Sequence, residues 1–344
     1  MLQYVKQMKY EKAPEIQKLI NEAHSILIIQ ADNPDSDSLG SALILESILA
    51  KQNKETFLYC GVDMPGYIKY LDGWDRVEKD FPDKFDLSIF VDVSTMTLFE
   101  HLTDAMIKKL SRQPSIVIDH HKTSDNPITI ANVEIIDNKR SSAGELIYLI
   151  GKQLNWDLDI TSLNLIAGTI LGDTQGLTNQ LASSETYRIM ADLIDNGVDR
   201  PKLEDKRREF NKMPLQIFKY KSKLLGRTEF IYDNRIAYIT IPQAEINTYS
   251  PLYNPSALVQ GDMLQTEGVE VAIAFKTYDD GRITASIRCN PNASIAAQLA
   301  SEFGGGGHDY ASGFKVTDQI FETLKNNCLK KAQDLLIKLD HENS

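Results

Sequence analysis

Four short stretches of this sequence place carboxylates and imidazoles where they could do chemistry. The run Asp32-Asn33-Pro34-Asp35-Ser36-Asp37-Ser38-Leu39-Gly40-Ser41 follows the apolar segment Ser25-Ile26-Leu27-Ile28-Ile29. Asp92 ends the segment Leu87-Ser88-Ile89-Phe90-Val91, and Asp119-His120-His121 ends Ser115-Ile116-Val117-Ile118. Asp173 lies in Gly172-Asp173-Thr174, directly after the helix-like segment 162–171. Converging carboxylates repel one another and are costly to bury unless a cation neutralises them. Carboxylates mixed with imidazole suit manganese, iron, zinc or cobalt better than calcium, which prefers an all-oxygen shell. Each piece alone has an ordinary reading: Asp35 and Asp37 as turn and helix-cap residues, Asp92 as a strand-end turn. Their joint placement at the ends of successive elements points to a metal centre.

A fifth stretch has different chemistry. Phe303-Gly304-Gly305-Gly306-Gly307-His308-Asp309-Tyr310 puts four glycines directly before a histidine. Four glycines cost conformational entropy, which implies a backbone that must approach something closely. Bare N–H groups in such a turn form an anion nest, leading into a helix or strand. His308 would add a donor, and Arg288 a bidentate phosphate contact.

These residues need a scaffold that gathers them. The runs at 25–29, 56–59, 87–91 and 115–118 are short, apolar and partly β-branched, as inner strands of a parallel sheet are. Between them, Ser41–Lys51, Ser142–Leu154, Ser162–Leu171 and Ser184–Asn196 carry apolar residues at helical spacing. The alternation predicts an α/β domain over residues 15–196, a parallel sheet covered on both faces. Ligands of such sheets bind outside the carboxyl ends of the strands, near a switch in strand order. Residues 197–225 are charged and helix-prone and read as a helical linker. Beyond them, hairpin-like strands are expected at Arg235–Ile241 and Val269–Lys276, then a turn at Asp279-Asp280-Gly281 into Arg282–Arg288. A final helix is expected around Asp318–Leu339. Residues 226–340 thus read as a smaller α+β domain with a mixed sheet.

The 344 residues suit two domains. A net charge of −11 excludes a surface that grips long duplex nucleic acid through its phosphates. Residues 216–344 hold 13 Lys and Arg against 15 Asp and Glu, a net of −2, so residues 1–215 carry −9. A metal-binding carboxylate set in the first part would account for some of that excess. Cys60, Cys289 and Cys328 lie far apart in no zinc-binding spacing, which fits small buried hydrophobes in a reducing compartment. The first residues show no apolar signal region, and no run approaches the roughly 20 apolar residues that span a bilayer. A cytoplasmic location without membrane contact is expected.

Taken together, NPDSDSLGS (33–41), VDVS (91–94), DHH (119–121), ILGDTQG (170–176) and GGGGH (304–308) resemble the DHH phosphoesterase superfamily, in the subfamily with a DHH-associated C-terminal domain. The likeness is to NrnA-type oligoribonucleases that also dephosphorylate 3′-phosphoadenosine 5′-phosphate, with RecJ exonucleases as more distant relatives. It runs from about residue 15 to about 335, and Ser141-Ser142-Ala143-Gly144-Glu145-Leu146 resembles the family's helix start after the DHH motif. The resemblance implies two divalent ions, manganese, and hydrolysis of short RNA or a small nucleotide. It assigns Asp35 to the first ion, Asp37 to the second, Asp92 to both, and His120 and Asp173 to the second site. His121 would face the scissile phosphate beside Asp119. Arg288, Gly305, Gly306, Gly307 and His308 would hold a substrate phosphate or terminal nucleotide in a cleft between the domains. A homodimer is compatible with the resemblance, as is action on linear or cyclic di-adenylate, or a nucleotide-binding protein with weakened catalysis. One departure stands out: the family's usual first-site histidine falls at Ala31, with Asn33 or Asp32 as the available substitutes.

Overall fold

A computed structural model describes residues 9–121, 126–250 and 253–342, with two compact units dividing after Lys212. The first unit opens with α1 (Ala13–Glu22), β1 (Ser25–Ile29), α2 (Ser36–Lys51), β2 (Glu55–Tyr59), β3 (Val77–Glu78) and β4 (Leu87–Val91). It continues through α3 (Asp104–Leu110), β5 (Ser115–Asp119), β6 (Val133–Ile136), α4 (Ala143–Leu154), α5 (Ile160–Asp173), α6 (Ser184–Asp195) and α7 (Arg200–Phe210). All six strands are parallel, in the order β3-β2-β1-β4-β5-β6. Strand order therefore reverses at β1 and β4, where a doubly wound sheet opens its ligand crevice. The Asp32–Ser41 run leaves β1 at that point, and Asp92 follows β4.

Alternation along β1 divides the core. Ile26 and Ile28 pack with α1, α2, α4, α5 and α6, while Leu27 and Ile29 join Tyr59, Phe85, Phe90, Phe99 and Val117 on the other face. Both faces are covered, as expected, but the second by aromatic side chains from loops and strands together with the end of the short α3. Full burial explains why β1, β4 and β5 read as unbroken apolar runs.

The second unit contains α8 (Leu215–Gly226), β7 (Glu229–Ile231), β8 (Ile236–Pro242), α9 (Gln243–Tyr249), α10 (Pro255–Leu264), β9 (Val271–Thr277), β10 (Ile283–Cys289), α11 (Ala296–Ser301), β11 (Gly306–His308), β12 (Ala311–Val316) and α12 (Phe321–Glu342). Its mixed sheet has the order β11-β12-β10-β9-β8-β7. On β9, Val271, Ile273 and Phe275 face α11 and α12, while Ala272 and Ala274 face α8 and α10.

Two expectations change. The strands at 236–242 and 271–277 pair in parallel, not as a hairpin, because α9 and α10 fill the connection between them. The expected turn at Asp279-Asp280-Gly281 does make a hairpin, of β9 with β10, with Gly281 at φ +81°. The stretch expected as one linker divides into α7, which belongs to the first unit, and α8, which belongs to the second. Cys60, Cys289 and Cys328 are free and buried. Among the described residues no helix is long and apolar enough to cross a membrane.

Candidate metal centre

The helix expected from Ser41 begins five residues earlier, and that early start is what shapes the site. Asp35 is the N-cap of α2: its Oδ1 accepts from the Asp37 and Ser38 amides at 2.9 and 3.0 Å, while the Ser38 hydroxyl accepts from the Asp35 amide at 2.9 Å. This reciprocal capping box fixes the first turn and places Asp37 in it, fully buried. Asp37 then accepts from the amides of Ala143 (2.6 Å) and Gly144 (3.1 Å), the first residues of α4, and from the Ser41 hydroxyl at 3.0 Å. A carboxylate at a helix N-terminus is favoured by the orphan N–H groups and the helix dipole.

Glycines let the helices come this close. A Cβ on Gly144 of α4 would lie 2.1 Å from Thr169 Oγ1 of α5, and one on Gly40 of α2 would lie 2.5 Å from Thr169 Cγ2. At the end of α5, a Cβ on Gly172 would lie 2.0 Å from Ser36 Oγ. The same contacts that pack α2, α4 and α5 therefore bring Asp173 toward Asp37.

The strands supply the rest. Asp92 takes a left-handed backbone conformation (φ +58°) just past β4, and its amide still donates to the Ile118 carbonyl at 2.9 Å. Asp119 ends β5, followed by the two histidines. His120 Nδ1 lies 3.3 Å from the Arg140 carbonyl, an acceptor, so the proton of the neutral ring belongs on Nδ1 and Nε2 faces the acids. That Nε2 lies 3.4 Å from Asp37 Oδ2, 3.4 Å from Asp92 Oδ1 and 3.2 Å from Asp173 Oδ2. His121 Nδ1 is 2.8 Å from Asp119 Oδ1, which also accepts from the amides of His120 (2.8 Å) and His121 (3.2 Å). The His121 side chain is 59% exposed, against 6% for His120, so its Nε2 is the edge that can meet an arriving molecule.

The electrostatics show a site short of positive charge. Burial and Asp173 push the Asp37 carboxyl up to about 6, against the opposing pull of His120 and the two amides. Burial and Asp37 raise Asp92 well above the ordinary range, and burial is also the main reason Asp35 and Asp173 are raised. Burial works against a charge on His120, yet Asp173, Asp92 and Asp37 raise it to about 12. Asp119 is held low despite burial, by its bonds to His121, and His121 is raised in return. Three orphaned buried atoms sit in this ring: Asp92 Oδ1, Asp119 Oδ2 and His120 Nε2 make no well-directed hydrogen bond among the described residues. Two ligand groupings lie within binding reach, Asp37 with His120 and Asp173, and Asp92 with His120 and His121. Hard carboxylate oxygens mixed with imidazole nitrogen, and polar atoms left open toward one another, fit divalent transition cations.

Residues 25–170 match the DHH family, N-terminal domain, and residues 252–338 match the DHHA1 domain. The two matches show a DHH N-terminal domain followed by a DHHA1 domain. A probable bifunctional oligoribonuclease and PAP phosphatase NrnA of Streptococcus mutans is 26% identical over 88% of this chain and 94% of its own length. A cyclic-di-AMP phosphodiesterase GdpP of Bacillus subtilis is 22% identical over 90% of this chain, which spans only 48% of that longer protein. The crystal structure of an exopolyphosphatase-related protein from Bacteroides fragilis shares the fold, with a TM-score of 0.84 at 21% identity over 98% of this chain and 99% of that one. The donor set within the DHH match is of the kind that holds a divalent cation.

Not every expected residue of this DHH protein joins the cluster. Asp32 is committed elsewhere: Oδ1 accepts from the Gly61 amide (3.0 Å), and Oδ2 takes the His101 amide (2.8 Å) and lies 3.0 Å from its Nδ1. It clamps two loops and is not a spare ligand. Asn33 is exposed, and Ala31 is buried among the aromatic side chains below the sheet. In the second unit, Gly306, Gly307 and His308 form edge strand β11 against β12, not a free turn. The close approach implied by the glycines is to the chain itself. A Cβ on Gly305 would lie 2.2 Å from the Gly313 carbonyl, and one on Gly307 2.7 Å from that of Ala311, while Gly306 faces open space. The His308 side chain lies outside what the structure describes. Arg288 is exposed and lines a pocket of about 300 Å³ with Asn254, Ser256, Gln260 and Ser286. Sequence reasoning missed Ser41, Thr169 and the Arg140 carbonyl, which orient ligands without being ligand types; only the SSAG helix start hinted at the amides that hold Asp37.

Proposed function

We propose that this protein is a manganese-dependent phosphoesterase that hydrolyses very short oligoribonucleotides and 3′-phosphoadenosine 5′-phosphate. The observation that carries the reading is His120 Nε2 with Asp37, Asp92 and Asp173 all within 3.4 Å, nearly sealed from solvent and short of positive charge. Asp35, Asp37, Asp92, His120 and Asp173 would hold two cations, with Asp92 shared. Divalent ions held there would lower the pKa of a bound water and offset charge on the phosphoryl oxygens. The chain's own part is orientation and proton placement. Asp119 fixes the His121 ring through Nδ1 and raises its pKa, which favours the protonated form, whose exposed Nε2 can donate to a phosphoryl or leaving-group oxygen. Arg288, with His308 and the backbone of Gly305, Gly306 and Gly307, would hold the phosphate or nucleotide that does not react, fixing the orientation of the scissile bond. A few local phosphate contacts suit a short substrate, in keeping with a net charge of −11.

The test is turnover by the metal-free chain resupplied with manganese, on a 5′-phosphorylated RNA dinucleotide, 3′-phosphoadenosine 5′-phosphate, linear di-adenylate and cyclic di-adenylate. Mononucleotide release from the dinucleotide and phosphate release from the bisphosphate, both lost in His120→Ala, are expected. Turnover confined to cyclic di-adenylate would replace the substrate reading. No turnover on any of them, with manganese bound, would leave a nucleotide-binding protein.

A further inference from the structure

One more polar side chain lies at the end of the sheet that carries this cluster, and nothing so far uses it. Gln30 is fully buried, and neither its Oε1 nor its Nε2 has a hydrogen-bond partner among the described residues. Of the nine buried side-chain atoms in that condition, five are Gln30 Oε1 and Nε2, Asp92 Oδ1, Asp119 Oδ2 and His120 Nε2, at the carboxyl ends of the adjacent strands β1, β4 and β5. Register gives the position. The Gln30 amide donates to the Tyr59 carbonyl at 3.0 Å, so the strand ladder continues one residue beyond β1. Alternation then puts Gln30 on the face of Ile26 and Ile28, the face covered by α2, α4 and α5, and puts Ala31 on the opposite, aromatic face. Because Ile29 pairs with Phe90 and Val91 with Ile118, Gln30 is level with Val91, one residue before Asp92, and with Ile118, two before His120.

A buried primary amide with neither group paired is costly, and such groups are retained where something else completes them. A carboxamide oxygen is a hard, neutral ligand for a divalent cation, and its NH₂ can donate to a carboxylate already bound to that cation. We propose that Gln30 belongs to the metal centre, its Oε1 ligating the first cation and its Nε2 donating to a neighbouring carboxylate oxygen such as Asp92 Oδ1. It would thus supply a neutral donor from the helix face, whereas Ala31, on the opposite face, offers none and Asp32 is held by Gly61 and His101. The inference rests on the cluster being a metal site, and its test separates the two.

Manganese is titrated calorimetrically into the metal-free full chain and counted by elemental analysis, for the unaltered protein, Gln30→Leu, Gln30→Asn and Gln30→Glu. The unaltered chain binds two ions. Gln30→Leu and Gln30→Asn weaken one of the two by about 10–100-fold, the range found when a group supporting a metal is removed. Gln30→Glu keeps both and tightens that one. Metal-free Gln30→Leu melts at or above the temperature of the unaltered protein, since the unpaired amide is gone, while the rise in melting temperature caused by manganese shrinks. Two ions bound with unchanged affinity in Gln30→Leu would overturn the role of Gln30 and leave the metal site standing. No manganese bound by the unaltered chain would overturn both. Loss of folding in both Gln30→Leu and Gln30→Asn without metal would make the amide a structural group and likewise overturn the proposal.

Discussion

The glycine contacts at the crossing of α2, α4 and α5 make a prediction whose sign is decisive. Gly144→Ala replaces a helix glycine by the best helix former, which in open surroundings stabilises by up to about 1 kcal/mol. Here the new Cβ would sit 2.1 Å from Thr169 Oγ1 and 2.8 Å from its Cβ and Cγ2. Thr169 cannot simply swing aside, because Oγ1 donates to the Ile166 carbonyl at 2.8 Å and lies 3.2 Å from Ser142 Oγ. Relief needs the start of α4 to move by roughly 1 Å to restore ordinary van der Waals contact. That shift carries the Ala143 and Gly144 amides away from Asp37, lengthening bonds now at 2.6 and 3.1 Å. Overpacking costs about 1–3 kcal/mol, and weakening bonds to a carboxylate costs more, so a net loss of about 2–4 kcal/mol is expected. Urea unfolding followed by tryptophan fluorescence reads this directly, because Trp74 and Trp156 both lie in the first unit. Manganese affinity should fall in parallel. The double variant Gly144→Ala/Thr169→Ala removes the 2.1 Å contact but keeps the 2.8 Å one to Cβ, so it should recover part of what the two single losses predict together. A Gly144→Ala protein as stable as the parent or more so, with unchanged metal binding, would refute the claim that this crossing positions Asp37.

Other outcomes follow from the same geometry. Asp119→Asn removes the charge that orients and protonates His121, so kcat should fall by about 100-fold or more at unchanged manganese content; an unchanged kcat would remove His121 from the mechanism. Arg288→Ala should raise KM for a phosphorylated dinucleotide and leave manganese binding intact, whereas an unaltered KM would mean that Arg288 touches no substrate. The pH dependence reverses with metal. Without metal, Asp37 binds a proton up to about pH 6 in the folded state but only to about 3.8 unfolded, so its contribution makes the folded protein lose stability as pH rises from 4 to 6. With manganese present the carboxylate must be deprotonated, so stability and metal affinity should rise over the same interval. Melts at pH 4, 5 and 6 with and without manganese check both signs; parallel trends would contradict the reading.

What could be read before the fold was known follows physical lines. β1, β4 and β5 are buried on both faces, so their sequences are continuous apolar runs with polar residues only where the strands end, and the ligand positions are visible as those ends. The start of α2 was hidden because Ser36, Asp37 and Ser38 look like a turn; their polarity is satisfied by capping and by the amides of α4, which come from more than 100 residues away. Strand spacing says nothing about direction, which α9 and α10 decide for β8 and β9. Glycine frequency announced a close approach around residues 304–307 but not its partner, which is β12. Side-chain direction was equally out of reach at Asp32 and Gln30: one is consumed by loop amides and His101, and the other has no hydrogen-bond partner among the described residues, on the face of the helices.

On the proposed function, the buried acids and imidazoles at the ends of β1, β4 and β5 and of α5 hold two metal ions. Anomalous diffraction from crystals grown with manganese tests it most directly. Two peaks are predicted, one within ligand distance of Asp37, His120 and Asp173, the second beside Asp35, and both touching Asp92. Peaks only at surface carboxylates, or none in the cluster at saturating manganese, would contradict the account.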